Sequence, residues 1–346
     1  LTDRYSRQML FKPIGASGQE KIRRKHALVI GAGALGSGAC EILVRSGVGK
    51  VTIVDRDYVE WSNLQRQQLY TEEDARRRMP KAVAACEHLK QINAEVELIP
   101  IIADFFGIDI QNIIQDVNVI IDATDNFETR MYINDISQKF KVPWVYGGCV
   151  GSTGISYTII PGKTPCFECL MGKVPFAGDT CDTVGVIAPI VQWVCSQQSV
   201  EALKILVEDD RSLRSTLVFT DLWDNEWSSI KVNQLKREDC PSCGSNPTYP
   251  YLNVNRNTES TVLCGRDTVQ IRPGGGLDVD FVQLTSWFQQ SDYQVDANNF
   301  LINVHLRDKR AVVFRDGRAL IHGTKDEREA KMIYQQMILP ALNSQT

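Results

Sequence analysis

Histidine is scarce in this chain, 4 among 346 residues, and only His26 and His88 fall in the first half. No Tyr-x-x-x-Lys pair occurs either, so a hydride-transfer site has no obvious proton donor. No apolar run approaches the roughly 18 to 20 residues that span a bilayer, and Leu1-Thr-Asp-Arg-Tyr-Ser-Arg-Gln8 lacks the apolar core of a signal peptide. These absences predict a cytoplasmic protein with no membrane partner. A basic excess is also missing: the formal net charge is -4, which gives no electrostatic case for a nucleic-acid partner. The triplet Arg76-Arg77-Arg78 stands beside Glu72, Glu73 and Asp74 and reads as a solvated face. There is no internal repeat and no low-complexity segment.

What is present begins with a Gly-rich turn, Gly31-Ala-Gly33-Ala-Leu-Gly36, directly after the apolar run Ala27-Leu-Val-Ile30. The first glycine permits a tight turn, the second lets a phosphate approach backbone, and the third lets helix and strand pack closely. The following helix offers its free N–H groups to the anion. Around this turn the patterning predicts a basic helix over 16–25 and strands at 27–30, 51–55, 96–101, 117–122 and 144–146. Helices are expected over 34–46, after Pro80 and after Asp125. Alternation of this kind argues for a Rossmann-like, doubly wound α/β sheet with ligands at the C-terminal strand ends. Rising β-branched content over 151–160 adds antiparallel strands, and a helix follows near 191–207.

Composition changes beyond Cys243, where Gly244-Ser-Asn-Pro-Thr-Tyr-Pro250 and Asn253-Val-Asn-Arg-Asn-Thr-Glu-Ser260 are turn-rich. The expected division is a nucleotide-binding domain over 1–248, a linker over 249–260, and a small C-terminal α/β domain over 261–346. The last contains strands near 268–271 and 300–306, a helix near 281–289, a hairpin 311–314/319–322 about Asp316-Gly317, and a helix near 326–337. Its role is not visible in the residues. His305 and His322 lie there without partner cysteines and read as ordinary polar residues.

The glycines alone suit a dinucleotide-binding dehydrogenase, with Asp55 at the end of the second strand holding a ribose hydroxyl. The charges suit something else. Arg66 and Lys81 supply cations, while Asp122 and Asp125 close another strand in Asp122-Ala-Thr-Asp-Asn126. Attack on phosphorus requires such groups, because nucleophile and phosphate repel until neutralised. Cys166-Phe-Glu-Cys169 and Cys240-Pro-Ser-Cys243 together offer four thiolates to one tetrahedral Zn2+, a closed and therefore structural site. With 10 cysteines and no signal for an oxidising compartment, metal binding suits the two pairs better than disulfides. Cys181 lies in a polar, turn-like stretch that suits an exposed, reactive thiol, with a spectator thiol as the alternative. Cys149 falls near a strand end at the cleft, and Cys40, Cys86, Cys195 and Cys264 read as core.

In order, Arg4-Tyr-Ser-Arg-Gln8, the glycine loop, Asp55, Asn63-Leu-Gln-Arg-Gln67, Pro80-Lys81, Asp122-Ala-Thr-Asp-Asn126 and both Cys-x-x-Cys pairs span residues 4–243. With these landmarks the chain resembles the ThiF/MoeB/HesA family of adenylyltransferases, bacterial relatives of ubiquitin-activating enzymes, and in particular its long, Bacillus-type thiazole-biosynthesis form. The resemblance implies ATP-dependent adenylylation of the C-terminal glycine carboxylate of a small ubiquitin-fold sulfur carrier ending in Gly-Gly, with release of pyrophosphate. It implies that Asp55 holds the ribose, that Asn63, Arg66 and Lys81 contact the phosphates, and that Asp125 organises Mg2+. It further implies a homodimer in which Arg7 reaches the partner's site, a role for Cys181 in sulfur or acyl transfer, and a cysteine desulfurase as a further partner. Arg130 either assists or makes a helix-surface salt bridge. The carrier is of the thiamin (ThiS-like) type on the Bacillus-type resemblance, with a molybdopterin (MoaD-like) carrier as the alternative. Two other readings stay open: an NAD-dependent oxidoreductase, and a zinc-stabilised nucleotide-binding scaffold without catalytic activity.

Overall fold

The apolar run His26–Ile30 forms β1, buried at every position, as a central parallel strand covered on both faces must be. Residues 4–171, 184–252, 260–262, 267–272 and 279–343 are described by a computed structural model. The backbone divides into two units, Leu1–Val254 and Asn255–Thr346.

In the first unit β1 is flanked by β2 (Lys50–Asp55) and β4 (Val119–Asp122), with β3 (Glu97–Ile102) beyond β2 and β5 (Trp144–Val150) beyond β4. All these neighbours pair in parallel. β6 (Thr153–Ile159), β7 (Thr216–Asp221) and β8 (Glu226–Lys231) then continue the sheet antiparallel, giving the order β3-β2-β1-β4-β5-β6-β7-β8. The chain thus leaves β1 toward one edge and returns to its other side, and the crevice of a doubly wound sheet opens at that switch, between β1 and β4. The fold class read from the sequence holds. The β7–β8 hairpin was not foreseen, because β8 is exposed at every position and carries no in/out alternation for a pattern to reveal.

Helices cover both faces. Helix Ala34–Arg45 begins directly after the glycine turn, and helix Ala188–Val207, with Pro189 in its first turn, packs Val191, Val194 and Cys195 against Leu35. On the opposite face, helix Phe127–Phe140 buries Met131, Tyr132, Ile133 and Ile136 against Trp144, Tyr146, Tyr157 and Phe167. Its N-terminus is capped by Asn126, whose side chain accepts from the Thr129 N–H. The turn Pro250–Leu252 belongs to this unit: Tyr251 donates its N–H to Asp135, and Tyr251 and Leu252 join the same core.

The second unit is a six-stranded antiparallel sheet, β9 (Ser260–Val262) to β14 (Ala319–His322), in the order β11-β12-β13-β14-β10-β9. Here β10 is Thr268–Ile271, β11 Val295–Ala297, β12 Leu301–Leu306 and β13 Lys309–Phe314. Helices Phe281–Gln290 and Glu327–Ile333 supply Leu284, Phe288 and Ala330 to a core with Val269, Ile302, Val313 and Ile321. Among the described residues no helix is long and apolar enough to cross a membrane.

Candidate active site

The glycine turn lies between β1 and helix Ala34–Arg45, and its glycines answer to different constraints. Gly31 has φ +93°, and a Cβ there would stand 2.5 Å from the Ala123 carbonyl, so the turn is pressed against the loop that follows β4. At Gly36 a Cβ would meet the Gly31 carbonyl at 1.9 Å, which fixes glycine by close helix packing. At Gly33 the nearest atom to such a Cβ would be Gln67 Nε2 at 3.7 Å. Among the described residues no neighbouring group demands glycine there, and space is left beside the Gly33 backbone.

Asp55 at the end of β2 accepts the Ala32 N–H at 2.6 Å and the Asp57 N–H at 2.7 Å, so it braces the turn itself. Burial raises its pKa, with Lys81 acting in the opposite direction. The spare lone pairs of the carboxylate remain available to a hydroxyl. Lys81 opens helix Lys81–Ile92 and is 3 % exposed, with Nζ 3.3 Å from Asp57 Oδ2. Its charge is therefore held in a desolvated pocket beside two carboxylates. The ring of Tyr70 is buried alongside, and its hydroxyl lies 2.6 Å from the Ala32 carbonyl and 3.1 Å from that of Lys81.

At the end of β4, Asp122 is fully buried and accepts from Thr124 N at 2.9 Å and Thr124 Oγ1 at 2.6 Å, which bends the chain so that Asp125 is exposed. Burial raises the Asp122 pKa and Arg130 opposes it. Arg130 is no helix-surface residue. It is 8 % exposed, donates to the Thr124 carbonyl at 2.7 Å and lies 5.2 Å from the Tyr146 ring centre. Burial works against its charge, but Tyr146, Asp122 and Asp125 outweigh that and its pKa is raised.

Asn63 is buried; its Oδ1 accepts the Glu60 N–H, while among the described residues Nδ2 has no partner and Gln67 Oε1 is likewise buried without one. Arg66 bonds back to the Ser62 carbonyl in its own loop at 2.9 Å. Arg7 is exposed on the short helix Ser6–Leu10. The fold thus gathers Gly31, Gly33, Gly36, Asp55, Lys81 and the loop bearing Asp125 around one crevice, with Arg66 engaged in its own loop and Arg7 on the surface. Cys181 and Cys264 lie outside the described residues. Cys40, Cys86 and Cys195 are buried as expected, and Cys149 is half-buried. Sequence reading missed Asp57, which its spacing from Asp55 at a strand end signalled, and Tyr70, whose polar loop gave no signal.

The two Cys-x-x-Cys pairs do meet. Their four Sγ atoms lie within 4.8 Å of one another, with Cys166–Cys240 at 3.6 Å and Cys169–Cys243 at 3.5 Å. A tetrahedron with Zn–S bonds of roughly 2.3 Å has edges of about 3.8 Å, so the quartet fits zinc with no open position. Hydrogen bonds among the sulfurs push the Cys169 thiol down and Cys166 up.

The chain is 48 % identical to the sulfur carrier protein ThiS adenylyltransferase of Bacillus subtilis (strain 168) over 98 % of its length and 100 % of the relative's. It is 32 % identical to the protein of the same description from Escherichia coli (strain K12), over 71 % of this chain and 97 % of the other. Among solved structures, that of E. coli MccB with succinimide matches with a TM-score of 0.62 at 20 % identity, covering 70 % of this chain and 74 % of that one, a likeness of fold. The family model described as the ThiF family matches residues 5–242, and the chain belongs to that family.

Proposed function

We propose that this protein adenylylates the C-terminal carboxylate of a ThiS-like sulfur carrier with ATP, as a step in making the thiamin thiazole. A carboxylate oxygen of the carrier's terminal glycine bonds to the α-phosphorus, the bond from that phosphorus to the bridging oxygen breaks, and pyrophosphate leaves with the electron pair. The observation that carries this reading is the crevice itself: a glycine turn, a desolvated lysine and an exposed carboxylate meet at the C-terminal strand ends. Identity to a ThiS adenylyltransferase along 98 % of the chain supports the carrier type.

Gly33 and the start of helix Ala34–Arg45 take a phosphate, Lys81 neutralises it, and Asp55 accepts from the ribose. Asn63 Nδ2 and Arg66 add donors once Arg66 swings from Ser62. Asp125 offers the hard oxygen suited to Mg2+, which would screen charge on the leaving pyrophosphate. Arg130 holds the Asp125 loop in place. The quartet Cys166, Cys169, Cys240 and Cys243 holds a structural Zn2+, and Cys181 serves sulfur or acyl transfer. Arg7 completes the crevice of a second copy in a homodimer, in the cytoplasm.

ATP–pyrophosphate exchange with a ThiS-like carrier, a MoaD-like carrier, and each lacking its last glycine tests the reading. Exchange that requires the intact ThiS-like tail is expected, and Lys81→Ala should reduce it by about 100-fold or more. Faster exchange with the MoaD-like carrier would move the protein to molybdopterin synthesis. ATP binding without exchange on either carrier would leave only a nucleotide-binding scaffold.

A further inference from the structure

Tyr70 belongs to no motif of the nucleotide site, yet its hydroxyl touches both phosphate-facing elements: the Ala32 carbonyl in the glycine turn at 2.6 Å and the Lys81 carbonyl at 3.1 Å. We infer that Tyr70 is a positioning residue that aims the Gly33 N–H at a nucleotide phosphate and fixes the turn against the start of the lysine helix. The inference rests on the ATP-binding reading above.

The reason is peptide geometry. The Ala32 carbonyl and the Gly33 N–H belong to one planar peptide unit, and in a trans peptide they point in opposite directions; the described chain has no cis peptide bond. With the carbonyl drawn to Tyr70, the Gly33 N–H is directed away from the buried ring. Among the described residues that N–H has no protein acceptor. It stands at the N-cap of helix Ala34–Arg45, where unsatisfied donors favour an anion. The Ala32 N–H is fixed independently by Asp55 at 2.6 Å.

The turn needs such a brace. Gly31 and Gly33 flank Ala32, and glycine crosses between negative and positive φ at little cost. A rotation of the Ala32–Gly33 peptide that swaps its carbonyl and N–H is therefore cheap, and it would present a carbonyl oxygen to the phosphate in place of a donor. The Tyr70 hydroxyl has one proton to share between two carbonyls, and the shorter contact is the one to Ala32. It stabilises the donor-out orientation in advance of binding, and its second contact ties that orientation to the backbone of Lys81.

Tyr70→Phe removes the hydroxyl and keeps the ring. Affinities of wild type and variant for ATP and for adenosine, measured by calorimetry, separate aiming from general support. Aiming predicts an ATP affinity about tenfold lower with adenosine binding unchanged. Equal weakening of both ligands, or an unchanged ATP-to-adenosine ratio, overturns the inference while leaving ATP binding by the wild type intact. A wild type that fails to prefer ATP over adenosine overturns the phosphate site and this inference together. Should the variant not fold, the Gly33 amide of the wild type gives a second readout: its 1H–15N resonance must shift when inorganic pyrophosphate is added, and the absence of a shift overturns the assignment.

Discussion

Three glycines spaced two and three positions apart, Gly31, Gly33 and Gly36, look equivalent on paper, but each answers to a different surrounding. Gly36→Ala would place Cβ 1.9 Å from the Gly31 carbonyl, a clash with backbone that no rotamer relieves. It should cost about 3 kcal/mol or more, read as a lowered denaturation midpoint. Gly33→Ala meets nothing closer than 3.7 Å and has φ -75°, so the fold should lose no more than about 1 kcal/mol. Pyrophosphate exchange should nonetheless fall by about 100-fold, because the methyl group occupies the approach proposed for the phosphate. Equal stability loss in the two variants would contradict this division. Asp55 shows the same economy: one carboxylate braces the turn through Ala32 while keeping lone pairs for a ligand.

The short helix Glu72–Arg76 and the longer Lys81–Ile92 are joined through one carboxylate. Asp74 accepts the Thr71 N–H at 2.7 Å in a capping box and meets His88 Nε2 at 2.7 Å. Burial alone would raise this carboxyl, but the Thr71 backbone and His88 outweigh it, and its pKa lies below the ordinary 3.8. A depressed carboxyl contributes stability that is present above the unfolded pKa and is lost as pH falls through the folded one. Thermal melts between about pH 5 and pH 2 should therefore show a steeper loss for wild type than for Asp74→Asn. Parallel slopes would remove Asp74 from the acid response. The same pair of helices brings Lys81 to the crevice, so this link lies behind the site without touching it. Of the neighbouring basic triplet, Arg76 pairs with Glu72 and Glu73 on the surface, which suits the solvated face expected there.

Across the first unit, the cysteine quartet joins segments 74 residues apart. Closing a loop of that length with a metal restricts the unfolded chain, and structural zinc contributes its binding energy directly to folding. Purified protein should carry one zinc per chain by elemental analysis. Its removal by a chelator should lower the melting temperature by about 10 °C or more. Phe167, Tyr146 and the guanidinium of Arg130 stack in series between quartet and crevice, with the Tyr146 and Phe167 ring centres 5.0 Å apart and Arg130 5.2 Å from the Tyr146 ring centre. Metal loss should thus also loosen the Asp125 loop, seen as faster amide exchange over 122–130. Exchange unchanged there would confine the zinc to a purely local clip.

Much of this was legible in the sequence, for identifiable reasons. A strand buried on both faces must be apolar throughout, so β1 announced itself, and the glycines marked its end because only glycine tolerates the backbone at 31 and 36. Alternation of strand and helix fixed the doubly wound class, since parallel neighbours require crossovers. Paired Cys-x-x-Cys spacing foretold the quartet, because tetrahedral thiolate sites are built from such pairs. β8 stayed hidden, being exposed on both faces, and so did the burial of Arg130, a helix residue whose partners Asp122 and Tyr146 come from two strands, β4 and β5. Tyr70 reaches Ala32, 38 residues away, through a fold that local pattern does not encode. Residue type and spacing determined which groups this protein has for handling a nucleotide; only tertiary packing decided which of them are desolvated, braced and aimed, because burial and hydrogen-bond direction depend on neighbours that the chain brings from elsewhere.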